Sequence, residues 1–208
     1  QYDNLDRLTV AQKGNPVTST QQFGYDADGN RLSKTVDGQV TNSTFLTTSN
    51  RLQALTGVGA KSYTYDAAGN PTAIGAASYV YNLANRLVAV TGLASYTVNA
   101  LGQRQTKTVG ATTTLFVYDE QGHLVGEYDA AGTLIQEPVW LEDLPIATLR
   151  PTGSGNPPPI VVYYVHPDHL GSPRAITRPS DNAFLWRWDN VDPFGANLAN
   201  QNPSGQGP

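Results

Sequence analysis

One unit recurs along the first two thirds of this chain and constrains its fold more than any other feature: aromatic residues, Tyr-Asp or Tyr-Asn, a Gly or Asn turn, and often Arg-Leu. Clear copies are Phe23-Gly24-Tyr25-Asp26-Ala27-Asp28-Gly29-Asn30-Arg31-Leu32, Tyr63-Thr64-Tyr65-Asp66-Ala67-Ala68-Gly69-Asn70 and Tyr79-Val80-Tyr81-Asn82-Leu83-Ala84-Asn85-Arg86-Leu87. Two more are Phe116-Val117-Tyr118-Asp119-Glu120-Gln121-Gly122-His123-Leu124 and Tyr128-Asp129-Ala130-Ala131-Gly132-Thr133-Leu134. Looser copies start at Tyr2 and Tyr96, and a degenerate one sits at Ser49-Asn50-Arg51-Leu52. From position 65 to 81, 98 and 118 the steps are 16, 17 and 20 residues.

Each copy reads as a β-hairpin. Aromatics two apart, as in Phe23/Tyr25 and Tyr63/Tyr65, point to one face of a strand. Asp26, Asp66, Asp119 and Asp129 cap the turn through their own side chains, and Gly29, Gly69, Gly122 and Gly132 supply the backbone conformation that closes it. Arg-Leu, as at Arg86-Leu87, opens the return strand, and Leu87-Val88-Ala89-Val90 fits a half-buried surface. A lone hairpin is marginal in water, so the copies must laminate side by side. The Tyr residues are expected as core and ladder residues.

Composition agrees with strands. Of 208 residues only 14% are charged, Gly and Pro number 20 and 14, and Thr occurs 22 times against four Glu and four Lys. A net charge of −4 offers no basic footprint for nucleic acid or an acidic membrane surface. No apolar run approaches the roughly 18 residues of a spanning helix. Without cysteine there is neither a disulfide framework nor a thiolate metal site. A chain that begins at Gln1 and has no Met reads as a segment of a longer one.

From Glu137 the pattern changes. Ile146 to Leu149 and Ile160 to Val165 are strand-like and flank the Pro/Gly-rich stretch 151–159, so a hairpin over 139–166 is expected. Then come His166-Pro167-Asp168-His169-Leu170-Gly171-Ser172-Pro173-Arg174, Trp186-Arg187-Trp188-Asp189 and Asp192-Pro193-Phe194-Gly195. With the upstream Tyr-Asp copies, these strings resemble the RHS (rearrangement hot spot) or YD-repeat family where its repeats run into the RHS-associated core. The resemblance extends to about Gly195.

The resemblance implies an all-β array, tandem hairpins forming a continuous, curved and wound antiparallel sheet, shell-like or solenoid-like. It implies 1–136 as the repeat array, 137–195 as the start of the core, and 196–208 as a polar tail. It also implies a large secreted or cell-surface bacterial protein whose shell encloses or carries a C-terminal toxin. Its partners would be neighbouring repeats of the same polypeptide and that cargo. The family's self-cleaving, aspartate-dependent segment ends in a second Asp-Pro-x-Gly. Only one, Asp192 to Gly195, occurs here, so no cleavage site carries over and no enzymatic activity is expected.

The residues themselves offer few chemical alternatives. His166, Asp168 and His169 are zinc-binding types at unfavourable spacing, and Asp168 is better read as organising a turn with Gly171 and Pro173. Asp168, His169 and Ser172 carry the side chains of a hydrolase triad without a nucleophile elbow. Asp26, Asp28 and Asn30 mimic a calcium loop, but Arg31 stands where that loop needs Gly. Asp189 and Asp192 would raise one pKa if they met. Trp186 and Trp188 read as packing residues on one strand face with Arg187 opposite. No catalytic, cofactor or metal residue is therefore assigned. Alternatives left open are a glycan-binding or adhesion surface using Tyr63 and Tyr79, a fibre self-assembling through open sheet edges, and the upstream part of a self-cleaving core.

Overall fold

The computed structural model describes residues 1–189 and 191–205; of the expected polar tail, 206–208 lie outside the described residues. Among the described residues there are eighteen strands and no helix, so the chain is all-β. It divides into two compact units, Gln1–Thr91 and Gly92–Pro208.

The first unit is a nine-stranded antiparallel meander. Its strands are β1 (Val10–Lys13), β2 (Ser19–Tyr25), β3 (Arg31–Val36), β4 (Gln39–Phe45), β5 (Leu52–Gly57), β6 (Lys61–Tyr65), β7 (Pro71–Ile74), β8 (Ala77–Tyr81) and β9 (Leu87–Val90). Each pairs with the next in sequence. The second unit repeats that plan with β10 (Ala94–Val98), β11 (Arg104–Val109), β12 (Thr112–Tyr118), β13 (Leu124–Asp129), β14 (Leu134–Leu141), β15 (Leu144–Pro151), β16 (Ile160–Pro167), β17 (Pro173–Thr177) and β18 (Phe184–Arg187). Again every strand pairs antiparallel with its successor. The boundary between units falls inside the repeat region, and β14 runs through residues 136 and 137 without a break.

Two kinds of turn alternate. At one edge of the first unit lie the five-residue Tyr-Asp loops; at the other lie tighter ones such as Asp37-Gly38, both with positive φ (48° and 84°), the twist that suits a two-residue hairpin. Strand pairing also contains a device absent from the sequence reading. Tyr25 pairs with Arg31 but Gly24 pairs with Ser33, so Leu32 is an extra residue on the return strand. The same β-bulge follows Tyr65, Tyr81 and Tyr118, leaving Thr72, Val88 and Val125 unopposed. A bulge raises local twist and bends the strand. It also explains why Leu87 to Val90 are all half-buried rather than alternating.

The core differs from the expectation of buried tyrosines. Among the described residues no large side chain is fully buried; Phe23 in the first unit and Ala147, Tyr163, Ala175 and Leu185 in the second come nearest. Tyr25, Tyr65, Tyr81, Tyr118 and Tyr128 are half-buried. Each unit is a single sheet, so its rings are covered by in-sheet neighbours and not by the second layer that seals an ordinary domain core.

Candidate functional site: a ladder of turns

Every Tyr-Asp loop has the same internal wiring. The Asp26 N–H donates to the Asn30 carbonyl (3.0 Å) and the Gly29 N–H returns to the Asp26 carbonyl (3.3 Å). Asp26 Oδ1 accepts the Asn30 N–H at 2.8 Å and Oδ2 accepts the Asn30 amide at 2.9 Å. Asp66 and Asn70 reproduce all four bonds. Asn82 substitutes with its carbonyl Oδ1, which accepts from the Ala84 and Arg86 N–H groups. The fourth loop position has φ of 88° at Gly29 and 93° at Gly69, a region that disfavours side chains, and Asn85 and Asp6 (both 57°) occupy it in two other copies.

These bonds hold the carboxyls ionised. The amide of Asn30 is the largest influence lowering the Asp26 pKa, and that of Asn70 does the same for Asp66. Tyr81 moves the other way, because burial disfavours its phenolate.

Within each unit the loops touch one another. In the first, Arg7 Nη1 donates to the Asp26 carbonyl at 2.7 Å, Asn30 Nδ2 to Asn50 Oδ1 at 3.1 Å, and Asn70 Nδ2 to Asn85 Oδ1 at 2.9 Å. Cations cover the next aromatic: Arg7 lies over Tyr25 (4.9 Å) and Arg51 over Tyr65 (5.8 Å). The tyrosine then donates backward, Tyr25 Oη to the Leu8 carbonyl (2.8 Å) and Tyr65 Oη to the Leu52 carbonyl (2.7 Å). In the second unit His123 stacks on Trp140 (4.7 Å, 20°), and Trp140 Nε1 donates to the Leu124 carbonyl at 2.9 Å. His123 bridges Asp119 Oδ2 and Asp143 Oδ1, 2.9 Å from each. At Arg7, Arg51 and His123 the residue leaving one loop caps the ring entering the next.

The copy at Tyr128-Asp129 breaks phase. It follows Tyr118 by ten residues, one strand instead of two, so its loop joins β13 to β14 at the opposite edge of the second unit. Its tyrosine donates to Glu137 Oε1 at 2.6 Å, which raises the Tyr128 pKa. The loop at the original edge is instead Glu142-Asp143, between β14 and β15.

The core strings form another loop of the repeat type. Asp168 Oδ1 accepts the Leu170 and Ser172 N–H groups, and the Gly171 N–H closes on the Asp168 carbonyl at 3.0 Å. Pro173 opens β17, and Leu170 stands exposed at the loop tip. Asp168 Oδ2 takes Arg174 Nε at 2.8 Å and Nη2 at 2.7 Å. Arg174 lies 4.5 Å over Trp188, whose Nε1 donates to the Asn197 carbonyl. Asp192, nearly buried, caps its own loop through the Phe194 and Ala196 N–H groups, and Gly195 packs against Trp188 after Pro193. Trp186 lies in β18, whereas Trp188 lies beyond that strand and bonds Arg174 through its backbone N–H.

This wiring commits the groups that were candidates for chemistry. Asp168 is bound by two backbone N–H groups and a guanidinium, and His169 is exposed. His166 Nε2 meets Thr177 Oγ1 at 2.9 Å. Asp189 pairs with Arg187 at 2.7 Å, while Asp192 caps its loop. Among the described residues no group of three or more His, Asp or Glu is placed to hold a metal ion. Tyr63 and Tyr79 are half-buried. The sequence reading missed Arg7, Arg51, His123, Trp140 and Asp143 as linkers. The available signal was the consistently polar fifth loop position: Arg7, Asn30, Asn70, Arg86, Gln103, His123.

The sequence matches no protein-family model and no curated protein. Solved structures share the fold. The chain resembles one in the crystal structure of TcdB2-TccC3 with a TM-score of 0.50 and 14% identity over 91% of its length. It resembles one in the Photorhabdus luminescens Tc holotoxin pore with a TM-score of 0.50 and 15% identity over 94%. In both cases the match spans 14% of the larger chain.

Proposed function

We propose that this chain is a structural wall segment of a large RHS/YD-repeat protein, secreted or carried on the cell surface, whose sheet encloses or carries a C-terminal toxin. The observation that carries this reading is the uniform loop wiring: Asp26, Asp66, Asp119 and Asp168 all spend their carboxylates holding their own loops, while Arg7, Asn30, Asn70 and His123 link one loop to the next. Side chains used in this way make a rigid, extendable sheet. The likeness in fold to Tc toxin chains supports the toxin-associated role. The test is limited proteolysis of the parent polypeptide. A segment following this chain should resist protease while the sheet is folded and become digestible when it is denatured. Digestion at equal rates in both states would refute enclosure.

A further inference from the structure

A cavity of about 340 Å3 lies on one face of the second unit, walled by Gln136, Thr148, Arg150, Tyr163, Ile176 and Trp186. It is large enough for a substituted aromatic ring, since roughly 150 Å3 of apolar cavity already admits benzene. Gln136 apart, several of its polar groups meet no partner among the described residues. The Arg150 guanidinium makes no ion pair or hydrogen bond with any described residue, in a chain where Arg7, Arg174, Arg178 and Arg187 are all paired with aspartates. Trp140 and Trp188 donate their indole N–H groups to carbonyls, but that of Trp186 meets no acceptor among the described residues.

Two further wall residues are 6% exposed. Tyr163 has no hydrogen-bond partner for its hydroxyl among the described residues, and Thr148 Oγ1 is an orphan closed off from solvent. Buried polar groups are nearly always satisfied, so Thr148 Oγ1 calls for a partner from within the cavity; Arg150 and Trp186 are half-buried, and their donors face water until a ligand takes them. No carboxylate lines the cavity; Glu127, which accepts from Gln136 Nε2 at 2.8 Å, lies outside its wall. The wall thus offers a guanidinium, an indole N–H and two hydroxyls beside Ile176, Leu185 and the two aromatic residues Tyr163 and Trp186.

We propose that this cavity binds a carboxylate carried on an aromatic body, with Arg150 taking the carboxylate and Trp186, Tyr163 and Ile176 the ring. Arg–carboxylate pairing is charge-assisted and favours a forked geometry, which suits an otherwise unpaired guanidinium. That chemistry has two sources: a free aryl acid, or the C-terminal aromatic residue of a peptide.

The test follows the Trp186 indole signal in a nitrogen-15 NMR spectrum of the whole chain, assigned with W186F, during titration. The probes are phenylacetate for the free acid and N-acetyl-Ala-Ala-Phe for the peptide, with phenylacetamide as the uncharged control. At least one carboxylate should shift Trp186 saturably, more than Trp140 or Trp188. The amide should bind about 10-fold or more weakly, and R150Q should weaken binding by a similar factor with its backbone spectrum preserved. Tighter binding of the peptide assigns the site to a polypeptide end; tighter binding of phenylacetate assigns it to a small acid. Should R150Q unfold the sheet, R150K and the amide control decide between the outcomes. No saturable shift with either carboxylate, or equal binding of the amide, overturns the proposal.

Discussion

Arg174 lies over the Trp188 ring, 4.5 Å from its centroid, while its guanidinium grips Asp168 through Nε and Nη2. One side chain thereby ties the loop between β16 and β17 to the aromatic beyond β18, the relation that Arg7 and Arg51 bear to Tyr25 and Tyr65. Replacing Arg174 by Lys keeps the charge but loses the fork and the planar stack. The expected cost is about 1 kcal/mol, with a Tm lower by several degrees and altered Trp fluorescence. An unchanged Tm would show that the stack contributes nothing.

Two glycines separate backbone strain from packing. Gly29 and Gly69 share nearly the same φ, 88° and 93°, but a Cβ at 29 meets open space and one at 69 would come within 2.8 Å of Arg51 Nη2. Gly29→Ala should cost about 1–2 kcal/mol from φ alone. Gly69→Ala should cost roughly 0.5–1 kcal/mol more, because moving Arg51 disturbs its stack on Tyr65. Denaturant melts of both variants give the difference, and equal losses would remove Arg51 from the account.

The hydroxyls of Tyr25 and Tyr65 each donate one bond to the preceding return strand. Tyr→Phe at either position should destabilise the first unit by about 1 kcal/mol without changing its sheet content. Chemical denaturation followed by circular dichroism measures both quantities.

His123 makes the second unit sensitive to pH. The Asp119 hydrogen bond, then that of Asp143, raises its pKa above 6.5, because a protonated ring donates to both carboxylates. A raised folded-state value means that this stabilisation is fully present below the unfolded pKa near 6.5 and fades as pH rises through the folded one. Asp119 is opposed by burial, but its His123 bonds prevail and lower its pKa, so its contribution is present above about 4 and fades in acid. Stability should therefore decline as pH rises above about 6.5 through His123, and His123→Gln should flatten that limb. Tm measured across pH 5 to 9 in both proteins tests this, and parallel curves would contradict it.

Much of the loop chemistry was legible in the sequence because it is local. Asp26 and Asn30 are four residues apart, and the Gly at 29 announces its backbone. The bulge at Leu32 was not legible, since it arises from the pairing of two strands and leaves no mark in either one's composition. The link from His123 to Asp143 spans 20 residues and joins loops of different sequence, so no repeat alignment would superimpose them. Tyr128 misled by similarity: its motif matches the others, but ten residues carry the chain across the sheet once and not twice. The half-burial of the tyrosines follows from the absence of a covering layer within each unit, which residue type alone does not reveal.

The central claim is that each hairpin is held by its neighbours. A synthetic peptide of residues 19–36, containing β2 and β3 with the intact Asp26 loop, isolates one such unit from Arg7 and Asn50, which bond it in the chain. Backbone NMR should show coil-like shifts and unprotected amides for the peptide, against slow amide exchange for the same residues in the full chain. A peptide that melts cooperatively with native-like protection would contradict the account.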